Sequence, residues 1–144
     1  MDSAEVSTRV DHFFNQTNLA NMSNSVAEFY HPQATFKDPI VSLEGRDALV
    51  KYYSGLYENI ETIHFEIQSA QFDGKDALVL WEMKMKHRRL NGGDEIQLPG
   101  TSHFRFDEEK VIYHRDFFDV SSMVYEHVPV LGWFMNFMKN QLAH

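Results

Sequence analysis

Three ionisable side chains stand out by type and setting. Asp38 closes the run Ala34-Thr-Phe36-Lys-Asp38-Pro39, a short apolar strand pattern stopped by proline. A carboxylate at that point sits where a strand leaves the fold, partly shielded from water, which suits a group that gives and takes protons. His114 and Asp116 lie two apart in the run from Val111 to Val120. On a strand they share a face at ~7 Å between Cα atoms, from a rise of about 3.3 Å per residue. An imidazole and a carboxylate so placed can address one bound molecule, and two inward polar groups cost stability unless they are satisfied or used. Asp38, His114 and Asp116 are therefore the candidate catalytic residues, for proton transfer. The competing uses are structural: Asp-Pro is a common turn opening, and a His-Asp pair can bond only to itself or to backbone.

The elements that position these groups follow from periodicity. Val6, Val10, Phe13, Phe14 and Thr17 recur at helical spacing, and Met22, Val26, Phe29 and Tyr30 make a second short helix ending before Pro32. Ala34, Phe36 and Asp38 share one face of a brief strand. A third helix begins near Gly45, with Asp47 in its first turn and Leu49, Tyr52, Tyr53, Leu56 and Ile60 on its buried side. From Glu61 the period changes to two, with hairpin turns at Asp73-Gly74-Lys75-Asp76 and Asn91-Gly92-Gly93-Asp94. Ala77, Val79, Trp81, Met83 and Met85 face one way, as do Ser102, Phe104 and Phe106 on the next strand. On the last, Ile112 and Phe118 are expected inward with His114 and Asp116, and Arg115 and Phe117 outward. The order α-α-β-α-β-β-β-β predicts an α+β fold: three N-terminal helices against a strongly curved, mostly antiparallel sheet of four long strands and one short one.

Composition narrows the function classes. One domain spanning 1–144 suits the 144 residues, enough to bury roughly two-thirds of the unfolded surface. Twelve Phe, six Tyr and two Trp can fill a core and still line a cavity. A formal net charge of −8 disfavours a nucleic-acid partner. The chain has no cysteine, which excludes disulfides and thiol catalysis. The acidic start Met1-Asp-Ser-Ala-Glu5 does not resemble a signal peptide, and no run reaches the ~20 apolar residues of a membrane span, so the expected location is cytoplasmic. No zinc-type spacing links the eight His, and no metal or cofactor is expected.

Tyr30-His-Pro-Gln-Ala-Thr-Phe-Lys-Asp38-Pro39, Gly45-Arg46-Asp47-Ala48 and the stretch Phe104 to Asp116 together resemble the NTF2-like superfamily, the cystatin-like cone of ketosteroid isomerases and SnoaL-like proteins. The resemblance covers about residues 5–120 and implies a cone with a pocket. It places Asp38 where ketosteroid isomerases keep their proton-shuttling Asp, and Asp116 with the acid/base Asp of SnoaL-like cyclases. Phe14 and Ser102 fall where the isomerases keep their oxyanion donors. Phenylalanine donates no hydrogen bond, and losing one such donor typically costs about 10²–10³ in rate, which argues against steroid-type isomerisation. An Asp-Arg-Asp epoxide-hydrolase site finds its residue types in Asp38, Arg115 and Asp116, but strand alternation turns Arg115 away.

The expected ligand contacts are Trp81, Met83, Phe104 and Phe118 from the strands, Phe14, Tyr30 and Tyr53 from the helical part, and Ser102. Such a lining suits a small apolar, ring-containing molecule. The tail 121–144 is apolar enough to pack on its own domain or a dimer mate, to cover the pocket mouth, or to rest on a membrane surface; a homodimer is expected. Two function classes follow: a SnoaL-like protein that binds an apolar metabolite and catalyses cofactor-free proton transfer or water addition, or a non-catalytic ligand-binding or protein-interaction module.

Overall fold

The computed structural model describes residues 1–120. The tail 121–144, with its expected lid, membrane-surface or dimer-contact role, lies outside the described residues. Helix α1 (Ser3–Gln16) is capped by Asp2, whose carboxylate accepts from the Glu5 amide, and buries Val6, Val10, Phe13 and Phe14. Helix α2 (Met22–Phe29) follows, then strand β1 (Tyr30–Lys37), strand β2 (Ser42–Glu44) and helix α3 (Arg46–Tyr57). Four long strands complete the fold: β3 (Ile60–Phe72), β4 (Asp76–His87), β5 (Ile96–Asp107) and β6 (Lys110–Phe118). With β1 and β2 they form one open six-stranded sheet in the order β2-β1-β6-β5-β4-β3, antiparallel except for the parallel β1–β6 pair.

The outer strand β3 is covered by α1. Asn15 clamps the Phe65 backbone, its Nδ2 donating to the carbonyl and its Oδ1 accepting from the amide, so one side chain substitutes for a missing strand neighbour. At the opposite side, α2 ends under two cations. Arg46 donates to the Tyr30 and Ala27 carbonyls, and Lys110 to those of Ala27 and Glu28. Gly45, at φ +87°, makes the turn that lets Arg46 reach back.

The sheet departs from the sequence expectation in five places. Ile60, expected on the buried side of the third helix, opens β3, since α3 ends at Tyr57. Tyr30 opens β1 instead of closing α2. The short strand β2, unanticipated at three residues, gives six strands in all. Asp38 lies just past β1, in the turn, because Pro39 stops the strand. Ile112 is not the inward residue on β6: a bulge at that position puts Val111 in the core, opposite Phe106, before the alternation resumes with Phe104 opposite His114. Pro32 is accommodated similarly, in the β1 irregularity between Tyr30 and Thr35.

Candidate active site

Alternation on β4, β5 and β6 turns one face of the curved sheet toward the helices. Across it run the rows Phe36–His114–Phe104–Ala77, then Asp116–Ser102–Val79, then Phe118–Gly100–Trp81. Between this face and helices α1 and α3 lies a cavity of about 160 Å³. Its wall is mostly apolar, from Phe14, Phe65, Trp81, Met83, Leu98 and Phe118 among others; Asp38, Tyr52, Tyr53, His87, His114 and Asp116 supply the polar points. A dry apolar cavity of about 150 Å³ takes up benzene, so the scale is that of one ring.

Of the sequence-predicted residues, Asp38, His114, Asp116, Phe14, Tyr53, Trp81, Met83 and Phe118 line this cavity. Tyr30, Ser102 and Phe104 do not. They are wholly buried behind the wall, since each packs under a lining residue: Tyr30 and Phe104 against the His114 ring, Ser102 under Asp116. Arg115 and Phe117 face outward, the guanidinium 4.6 Å over the Phe117 ring.

Asp116 is the centre of a hydrogen-bonded row. Trp81 Nε1 donates to Ser102 Oγ at 2.9 Å, and Ser102 donates to Asp116 Oδ1 at 2.5 Å. His114 Nε2 lies 2.6 Å from the same oxygen, while its Nδ1 lies 2.7 Å from the Tyr30 hydroxyl, itself 2.8 Å from that of Tyr53. The described bonds of Asp116 all fall on Oδ1. His114 is 1% exposed, boxed by the rings of Phe36, Phe104, Phe14 and Tyr30. Its orientation is therefore fixed by packing as well as by its two bonds. Burial pushes the Tyr30 and Tyr53 hydroxyls well above the ordinary tyrosine value, so both stay protonated near neutrality.

Asp38 is held differently. Oδ1 accepts from the Ile40 and Val41 amides, and Oδ2 accepts from Tyr52 at 2.7 Å. Burial raises its carboxyl above the ordinary value, against the lowering pull of those three donors, and the charge of Asp116 adds to the rise. Tyr52 is raised well above the usual value by its own burial and by the Asp38 charge; burial carries Tyr57 to about 12.

Sequence reasoning missed Tyr52 as the partner of Asp38, although its helical stripe was visible. It also missed the cavity positions of His87 and Thr17. His87 Nδ1 accepts from the Arg89 amide, and burial, then the Arg89 charge, lower its pKa. Among the described residues Thr17 Oγ1 is a buried hydroxyl with no hydrogen-bond partner. No group of three or more His, Cys, Asp or Glu among the described residues is arranged to hold a metal ion.

Residues 10–114 match the SnoaL-like domain. Among curated proteins none matches. A protein of ketosteroid isomerase-like fold from Catenulispora acidiphila, solved with trimethylamine, is 17% identical over 85% of this chain and 91% of that one, with a TM-score of 0.72. An LEH-like epoxide hydrolase of M. tuberculosis is 15% identical, covering 93% of this chain and 97% of that one, at TM-score 0.69. A protein from Jannaschia named as a SnoaL-like polyketide cyclase gives 15% identity, 83% and 88% coverage and TM-score 0.69. At such identities the likeness establishes the fold: helices on a curved mixed sheet.

Proposed function

This chain belongs to the SnoaL-like domain family, and from that footing we propose that it binds a small apolar, ring-containing metabolite in the cavity and catalyses a cofactor-free proton transfer on it. One observation carries the reading. Asp116 stands on a mostly apolar wall with Oδ1 tied by Ser102 and His114, an arrangement that fixes the carboxylate while directing its bonds to a single oxygen. Asp116 is the base and acid, His114 orients it, and Asp38 is the second carboxylate facing the ligand. Phe14, Tyr53, Trp81, Met83 and Phe118 contact the ring, with Tyr30, Ser102 and Phe104 supporting them. The working unit is one domain over residues 1–144, homodimeric and cytoplasmic.

The test is turnover on a panel of ketones, epoxides and lactones. Asp116→Asn is expected to lower any rate found by about 10²–10⁴, the usual contribution of a positioned acid or base, while the melting temperature changes little. Wild-type turnover in that variant sinks the proposal. Water addition to an epoxide would draw on the same carboxylate and is one outcome of the panel.

A second reading is favoured by the three donors that hold Asp38 as a turn-forming group. In it the polar residues only orient a ligand, and the protein is a non-catalytic binding module. Binding without turnover on any panel member would select it.

A further inference from the structure

Asp116 and Tyr53 both face the cavity, one from β6 and one from α3, and they are joined through His114 of the wall and Tyr30 behind it. The line runs from Asp116 Oδ1 to His114 Nε2 at 2.6 Å, from His114 Nδ1 to Tyr30 at 2.7 Å, and from Tyr30 to Tyr53 at 2.8 Å. Every inner member can take a proton on one side and release one on the other. Tyr30 is 0% exposed and does not line the cavity, and His114, which does, has both ring nitrogens bonded within the line, so protons enter and leave it at its two ends.

We propose that Tyr53 is a second acid–base group of this cavity, coupled to Asp116 by a proton relay through Tyr30 and His114, and that the ligand carries an enolisable carbonyl whose oxygen meets Tyr53. The proposal rests on the proton-transfer reading given above and deepens it. The line has two states differing by one proton. Without the extra proton, Tyr53 donates to Tyr30 and Tyr30 to His114, and Tyr53 offers the ligand only an acceptor. With it, held by His114 beside the Asp116 carboxylate, His114 donates to Tyr30, Tyr30 to Tyr53, and Tyr53 donates to the ligand.

The step starts from the second state. Asp116 Oδ2 takes the proton on the carbon next to the carbonyl, and that C–H pair becomes the new C=C bond. The carbonyl π pair moves onto oxygen, which takes the Tyr53 proton. Tyr53 takes a proton from Tyr30, and Tyr30 takes one from His114 Nδ1. The ligand ends as its enol, Asp116 as the acid and His114 neutral, with no proton gained or lost overall. Burial opposes a free phenolate at either tyrosine, which favours moving the protons together.

The probe is phenylacetone, one ring with an enolisable ketone, followed by NMR for exchange of its α-hydrogens in D₂O. The wild-type protein is expected to accelerate exchange. Tyr53→Phe and Tyr30→Phe are each expected to lower kcat on the order of 10²-fold, the usual loss for one oxyanion donor. Tyr30 does not reach the ligand, so Tyr30→Phe is expected to leave KM within about twofold, and the double variant to be no slower than either single one. Thermal unfolding of each variant confirms that it is folded. Full activity in Tyr30→Phe, or losses that add in the double variant, overturns the relay, as does a wild-type protein that leaves phenylacetone unexchanged. Exchange that survives Asp116→Asn instead overturns the underlying assignment of Asp116 as base, so the two failures are distinguishable.

Discussion

Two carboxylates share one cavity, and their partners divide their work. Asp38 receives three donors across both oxygens, the pattern of a group that holds a turn, whereas the described donors to Asp116 meet on one oxygen. Because burial raises Asp38 above its ordinary value of 3.8, the folded state holds its proton more tightly than the unfolded chain. Its contribution to stability is then fully present below 3.8 and is lost as pH rises through the raised value. Asp38→Asn removes that ionisation. The gap in melting temperature between the wild type and this variant should therefore shift against the wild type as pH rises through that window; a gap constant with pH contradicts the burial argument. His114 and Asp116 were legible in the sequence because residues two apart on a strand share a face. The Tyr30–His114 bond was not, since it joins positions 84 apart and depends on how β1 lies beside β6. Tyr30 was read as a ligand contact, but it is wholly buried one layer behind the wall.

At the level of strands and helices, periodicity gave β4 and β5 their inward faces correctly, from Ala77 to Met85 and from Ile96 to Phe104. It failed where the ladder changes phase. The bulge at Ile112 and the irregularity around Pro32 are decided by pairing between strands far apart in sequence, to which a two-residue period is blind. The cavity shape also depends on one glycine. Gly100 lies opposite Trp81, and a Cβ there would land on the indole ring, the same indole that donates to Ser102 beneath Asp116. Gly100→Ala must displace Trp81, and is expected to cost about 1–3 kcal/mol as an overpacked site while loosening the Ser102–Asp116 bond. Thermal unfolding and Trp fluorescence would report both effects, and a variant with wild-type stability and spectrum would refute the contact. Arg46 offers a second check on the frame around the site. Its guanidinium bonds hold the end of α2 and the start of β1 together, and hydrogen bonds to charged groups contribute about 1.5–3 kcal/mol each. Arg46→Met keeps the length but not the donors, and urea unfolding should show a loss of about 2 kcal/mol with an unchanged slope.

The assembled protein has a second apolar surface, on the face of the sheet away from the cavity. Leu78 and Leu80 of β4 are 46% and 44% exposed, and Phe117 of β6 is 45% exposed. The register puts Leu80, Thr101 and Phe117 in one row across β4, β5 and β6, so they form a patch and not scattered single residues. Polar neighbours frame it: Asp76 meets His103 at 2.8 Å and Arg105 at 3.1 Å on the same side of the sheet. An apolar centre with a paired, charged border is the composition of a protein–protein contact. Among the described residues no helix is long and apolar enough to cross a membrane. The homodimer proposed above would use this face, the patch meeting its own copy across a two-fold axis. Light scattering should then give a mass near twice 16.9 kDa, and because apolar burial drives the contact, added salt should not dissociate it. Phe117→Asp places a charge at the β6 end of the row, inside the patch, and is expected to return the mass to that of one chain. Phe117 points away from the cavity, so ligand affinity should survive the same change. A wild-type protein that scatters as a single chain at high micromolar concentration would show that this face has some other purpose.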